Sequence, residues 1–194
     1  MPRVKLFDEK EILNKAMHLF WKKGYTATSI QDLVSYLGIN RASIYDTFGD
    51  KEQLFKKSFE LYRKTSIDKL AIFFSNYPNV KEGFSTFFDN AIKEAVSDKD
   101  KKGCFVVNAT TELVPTNDEA FIEILEANRR AVEKLFYEYL QKGKESGQLS
   151  SVKDLTHIAS LLFTFYNGMR VVSKVRPDKK KLKASVDVVL SLLE

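Results

Sequence analysis

The residues with the most specific chemistry in this sequence form a short run, Asn40-Arg41-Ala42-Ser43, followed by Tyr45, Thr47 and Lys51. A guanidinium such as that of Arg41 can donate two parallel hydrogen bonds to the edge of a guanine, or clamp a phosphate. Ala42 is small enough to meet a thymine methyl, and the Ser43 hydroxyl pairs with either a base or a phosphate. Asn40 is a good N-cap, so these side chains open a helix, the element that fits the major groove of B-DNA. Once Ile44 and Phe48 are taken inward, Tyr45 and Thr47 lie on or near the outer face with them. Lys51 opens the next helix, where its ammonium and the free backbone N–H groups can both meet a phosphate. Thr28 and Ser29, at the start of the preceding helix, are placed for the same work.

Other chemistries find little support. The two histidines, His18 and His157, lie far apart, and one cysteine cannot build a zinc site. No glycine loop that cradles a phosphate is present. The Asp118-Glu119 pair stands at a helix start, where it serves the helix dipole. The sequence therefore points away from an enzyme and implies no cofactor and no metal. Cys104 is the one reactive candidate, because it follows Lys101 and Lys102 at a helix start, where a thiol becomes more reactive. A redox- or electrophile-sensing module acting through Cys104 is thus one alternative reading. A small buried hydrophobe is the other reading of that thiol.

The elements that must position these residues are helices. Apolar spacing is helical throughout, and no stretch alternates with period two over a strand's length. A first helix spans about residues 8–23 and ends at Gly24. Ser29 and Asp32 make a capping-box start for a short helix whose apolar face is Ile30, Leu33, Val34 and Leu37. Gly38 stops it, and Ile39 with Ile44 forms a hydrophobic staple across Asn40. Two helices of two turns each, joined at Gly38-Ile39-Asn40, have the layout of a helix-turn-helix. Asp50, with Gln53, caps a long helix to about residue 76. Further helices are expected at about 80–97, 104–114, 118–145, 154–175 and 178–193. Their breaks fall at Tyr77-Pro78-Asn79, Asp98 to Gly103, Pro115 to Asn117, Ser146 to Ser151, and Arg176-Pro177.

The expected fold is all-α with about nine helices. A three-helix DNA-binding domain with the helix-turn-helix spans residues 1–50, and a larger helical bundle spans 51–194. Heptad-like stripes run through Leu155, Ile158, Leu162, Phe165, Met169 and Val172, and through Leu182, Val186, Val189 and Leu193. Such stripes suit either a four-helix interface with a second copy or the inside of one subunit. The bundle holds most of the 15 Phe, enough to line an apolar cavity. Cys104, Asn108, Glu112, Asn128, Phe163, Tyr166 and Asn167 are the candidate pocket residues for a small-molecule effector.

Charge agrees with a polyanion-binding head. Of the 194 residues, 31 are Lys or Arg and 26 Asp or Glu, a formal net charge of +5. Residues 1–64 carry 12 basic and 8 acidic side chains, so nearly all the excess lies in the first third. Charged residues at 29% together with 12% aromatic residues exclude a disordered chain. No apolar run approaches the roughly 20 residues that span a bilayer, and one cysteine suits a reducing compartment. The expectation is a cytoplasmic protein with no membrane partner. A helical ligand-binding module that does not bind DNA stays open on charge and periodicity alone.

The run from Gly24 to Leu33, then Leu37 to Leu54, resembles the DNA-binding domain of the TetR/AcrR family, and the likeness covers about residues 8–55 without a gap. Gly103 to Asn108, and Gly168 to Arg170 with Arg176 to Asp178, resemble one branch of that family. The resemblance implies a homodimeric, all-α transcription factor, most often a repressor. One domain would bind a palindromic double-stranded DNA operator, and a ligand in the larger domain would release it. Thr28, Tyr45 and Lys51 match positions that usually touch the DNA backbone. Arg41, Ala42 and Ser43 match the base-reading start of the recognition helix. Asp46-Thr47 departs from the family, where aromatic or histidine residues are common. The dimer would form through the helices at about 154–193.

Overall fold

The computed structural model describes residues 7–116, 118–149 and 154–194. Asn117 and Ser151, read as parts of breaks, lie outside the described residues. The described residues form nine α-helices and two short 3-10 turns, with no strand among them. They are α1 (Glu9–Lys23), α2 (Ile30–Leu37), α3 (Arg41–Phe48), α4 (Lys51–Ser75), α5 (Val80–Ser97), α6 (Phe105–Leu113), α7 (Glu119–Glu145), α8 (Leu155–Val172) and α9 (Lys179–Leu190). The expected boundaries differ most at the end of α8 and in the last turn of the chain. There Ser191–Leu193 tightens into a 3-10 turn.

The chain packs as two compact units. One comprises residues 1–66 with 108–124, and the other 67–107 with 125–194. A boundary drawn at residue 50 does not follow this packing. The physical reason lies in α4, whose Phe55 is buried with Phe20, centroids 5.0 Å apart, and with Phe121, 5.2 Å away. These rings join the start of α4 and the segment 108–124 to the three-helix core.

Within the first unit the local signals act as spacing suggests. Asp8 caps α1 by accepting from the N–H groups of Lys10 and Glu11. Ser29 and Asp32 form a reciprocal capping box on α2. Asn40 Oδ1 accepts from Ser43 N at 2.8 Å and starts α3. Each such cap is worth about 1 kcal/mol. Gly38 ends α2 in the left-handed region, with φ 71° and ψ 22°, where a side chain would be strained. Ile12, Ala16, Phe20, Leu33, Leu37, Ile44 and Phe48 are buried and fix the mutual pose of α1, α2 and α3.

The second unit is built on an aromatic core. Phe74, Phe84, Phe88, Phe136 and Tyr139 are buried together with Leu140, Leu162 and Met169. Phe84 meets Phe136 edge to face at 5.3 Å. Tyr139 Oη bonds the carbonyls of Tyr77 and Asn79 at 2.7 and 3.0 Å and so fixes the turn between α4 and α5. Burial pushes the Tyr139 phenol up to about 12.

The two heptad-like stripes lie mainly inside this unit. Leu155, Leu162, Met169, Val186 and Leu193 are buried in its core, and Ile158, Phe165, Leu182 and Val189 pack against it. Of the two readings, these stripe residues follow the second, since most of their apolar surface is covered within one chain. Val172 is the exception, at 59% exposed. A different set is open to solvent: Leu161, Val171, Val172 and Val175 around α8, and Val188 and Leu192 around α9.

Candidate nucleic-acid interface

The outward side of α3 carries Arg41, Ala42, Tyr45 and Asp46, all exposed, with Ser43 and Thr47 half-buried at its edges. Ile44 and Phe48 point the other way and are buried. The helix is thus anchored by two side chains and capped by Asn40. Its first turn is left open toward solvent.

Arg41 and Tyr45 form a pair on that face. The guanidinium lies 5.4 Å from the centre of the Tyr45 ring, and one of its nitrogens donates to Tyr45 Oη at 3.3 Å. Arginine stacked on an aromatic face keeps most of its N–H fork available for another acceptor. Asp46 projects from the same exposed side as Tyr45.

Three sequence-chosen contacts are used differently. Thr28 is a correction: its side chain is 0% exposed, and Oγ1 donates to Gly24 O at 2.5 Å. It is committed to the turn before α2 and is not offered to a phosphate. Ser29 is exposed, but its hydroxyl accepts from Asp32 N at 3.1 Å and donates to Asp32 Oδ2 at 2.6 Å. Lys51 is half-buried, and its Nζ donates to Tyr25 O at 3.0 Å and Thr28 O at 2.9 Å. That ammonium also lies 4.2 Å from the Tyr25 ring centre. Two of its three N–H groups are therefore bound within the protein.

The electrostatics around α2 are strongly set. The Lys23 ammonium, 2.6 Å from Asp32 Oδ2, holds the Asp32 carboxyl well below the usual carboxylate range, and the Ser29 hydroxyl and N–H act the same way. A negative charge at a helix N-terminus is favourable, and the pair ties the end of α1 to the start of α2.

The pocket candidates divide between the units. Asn108 and Glu112 belong to the first, and Cys104, Asn128, Phe163, Tyr166 and Asn167 to the second. Glu112 accepts hydrogen bonds from the backbone N–H groups of Tyr25 and Thr26. Nothing local in the sequence signals this, because those partners lie 87 and 86 residues away. Asn167 Nδ2 donates to Phe163 O within α8. Asn128 is buried, and Cys104, immediately before α6, is 6% exposed. Tyr166 packs on Phe87 with centroids 4.9 Å apart, beneath the Arg170 guanidinium. Burial pushes its phenol up to about 12. The Phe84, Phe88 and Phe136 rings belong to the core of the second unit, and Phe121 belongs to the first unit.

The geometry on residues 9–57 is a capped helix-turn-helix with an exposed recognition face, and the chain matches known proteins over the same span. Residues 12–57 match the model for bacterial regulatory proteins of the TetR family, and residues 83–189 match the tetracyclin repressor-like C-terminal domain. The chain belongs to the TetR family of transcriptional regulators. Its relatives include the HTH-type transcriptional regulator YezE of Bacillus subtilis, 31% identical over the whole of both chains. The HTH-type transcriptional repressor ComR of Escherichia coli is 30% identical over 98% of this chain and 90% of its own. Among solved structures, a cysteine mutant of the TetR-family regulator CifR, complexed with 26-base-pair operator DNA, aligns at a TM-score of 0.83. That protein is 28% identical, over 97% of this chain and 98% of its own. For the TetR-family chain described above, no helix among the described residues is long and apolar enough to cross a membrane.

Proposed function

We propose that this TetR-family regulator is a repressor that binds a palindromic operator as a homodimer and is released by a small-molecule effector. The observation that carries the reading is the exposed first turn of α3, with Arg41 resting on Tyr45 and Ala42 beside it. A helix held in this way presents base-reading groups at its N-terminal end, the end that enters the major groove in a helix-turn-helix. One eight-residue helix contacts few base pairs, so a second copy about 34 Å away along the duplex supplies the rest of the site. The repressor sign follows that of ComR, and a double-stranded operator follows the duplex bound by CifR.

In this reading the second copy docks on the exposed apolar side of α8 and α9, centred on Val172 and Val188. The effector is held by the second unit near Tyr166, Cys104 and Arg170. Arg170 Nε supports that placement, being buried without a hydrogen-bond acceptor among the described residues. A buried N–H in that condition calls for an explanation beyond packing.

The test is selection of bound duplexes from a random DNA pool, followed by a salt titration on the winner. The expected outcome is an enriched inverted repeat whose half-sites are one helical turn apart or a multiple of it. Its affinity should fall steeply and linearly against log salt. A pool that enriches no sequence at low salt, with purified folded protein, overturns the reading.

A further inference from the structure

The turn from Gly24 to Thr28 leads into α2, and its peptide groups are held from two sides. Lys51, at the start of α4, takes the carbonyls of Tyr25 and Thr28. Glu112, on the last turn of α6, takes the N–H groups of Tyr25 at 3.1 Å and of Thr26 at 2.7 Å. Gly24 records how closely the carboxylate is seated. Its φ is 84°, and a Cβ there would stand 3.0 Å from Glu112 Oε2. A Cβ at position 24 would press on the carboxylate, which would have to give way slightly. All of these residues lie in the first unit.

Charge alone argues against a carboxylate here. It sits at the C-terminal end of α1, where the helix dipole disfavours negative charge. It also belongs to the unit that approaches a polyanion, where each added negative charge weakens association. Its two backbone donors supply the compensating interaction, since an ionised acceptor binds an N–H roughly twice as strongly as a neutral one.

We propose that Glu112 is a positioning residue for DNA recognition. It fixes the Gly24–Thr28 turn, and through α2 the pose of α3, without touching DNA. This rests on the DNA-binding reading above. The link is short: Ser29 directly follows the turn and caps α2, while Leu33 and Leu37 of α2 and Ile44 of α3 share one buried core. Base readout tolerates displacements of only about half an ångström, so a loosened turn lowers discrimination before it lowers folding.

The sign of the effect separates positioning from charge. Removing a negative charge strengthens DNA binding by electrostatics, whereas freeing the turn weakens it. The experiment measures full-length Glu112→Gln and Glu112→Ala on the selected operator and on a random duplex of equal length. Melting curves and hydrogen exchange of the Tyr25 and Thr26 amides are recorded alongside. The expected result is folded variants whose two amides exchange at least about tenfold faster and whose operator affinity falls about tenfold. Affinity for the random duplex should stay within about twofold, since Glu112 meets no phosphate. Gly24→Ala, which pushes a Cβ against the carboxylate, should lose operator affinity in the same direction. Operator binding by Glu112→Gln as tight as, or tighter than, that of the unaltered protein overturns the proposal. If Glu112→Ala does not fold, Glu112→Gln decides, and unchanged Tyr25 and Thr26 exchange in it also overturns the proposal. If the unaltered protein selects no operator, the DNA reading falls and takes the recognition role with it. The exchange arm then still reports whether Glu112 holds the turn.

Discussion

The guanidinium of Arg41 rests on the Tyr45 ring at the protein surface, whereas the ammonium of Lys51 is bound into the turn before α2. The two cations should therefore fail differently when removed. Arg41→Ala should cost about 1–3 kcal/mol on the best operator and relax discrimination at one base pair, with little change in melting. Lys51→Met keeps the aliphatic stem and removes the donors. It should lower the stability of the folded protein by about 1–3 kcal/mol. It should leave the slope of log affinity against log salt unchanged. A slope shallower by about one unit would mean that Lys51 also neutralises a phosphate. Binding and denaturation measured on the same two variants separate these outcomes.

Residue identity was legible where partners are near in sequence and hidden where they are not. Arg41, Ala42, Ser43 and Tyr45 could be placed on α3 because its cap Asn40 and its buried Ile44 and Phe48 fix its phase. Thr28 could not be told from an exposed hydroxyl, since its burial depends on how the turn folds over. Glu112 carried no usable signal at all. A carboxylate on a helical stripe looks the same whether it faces a cavity or reaches amides 86 residues away.

Among the elements, α2 has a start held by charge from the helix before it. Asp32 accepts from Ser29 N at 2.8 Å and pairs with Lys23 from the last turn of α1. Its carboxyl ionises more readily in the folded protein than in the unfolded chain, chiefly because of the Lys23 ammonium. A depressed folded value means the contribution is present above the unfolded value, about 3.9, and is lost as the pH falls below it. Melting temperature should thus drop on acidification below about pH 4, with amides of the first turn of α2 losing protection earliest. Asp32→Asn should be less stable at neutral pH, and the difference from the unaltered protein should shrink toward low pH. A constant difference from pH 7 to pH 3 would remove the ion pair from the account of α2. The capping box behind this argument is readable from Ser29 and Asp32 alone. The Lys23 partner follows only once Gly24 turns the chain back.

For the whole molecule, periodicity located apolar faces without saying what covers them. Helix α8 has two such faces. Leu155, Leu162 and Met169 close on the core of their own subunit, and Leu161, Val171 and Val172, with Val175 just past the helix end, remain outside it. Helix α9 repeats the pattern, with Val186 inside and Val188 exposed at 70%. Large exposed side chains gathered on two neighbouring stretches of sequence are the mark of an association surface. An interface between twofold-related copies is self-complementary, so one substitution acts twice. Val188→Glu should place two like charges against the twofold-related surface and break the pair, while Val186 and the core beneath stay intact. Sedimentation should then give one chain's mass in place of two, with the helical signal unchanged. Operator binding should weaken far more than binding to a single half-site, because the second recognition helix is no longer delivered with the first. A Val188→Glu protein that sediments as a pair would move the interface off this side of α9.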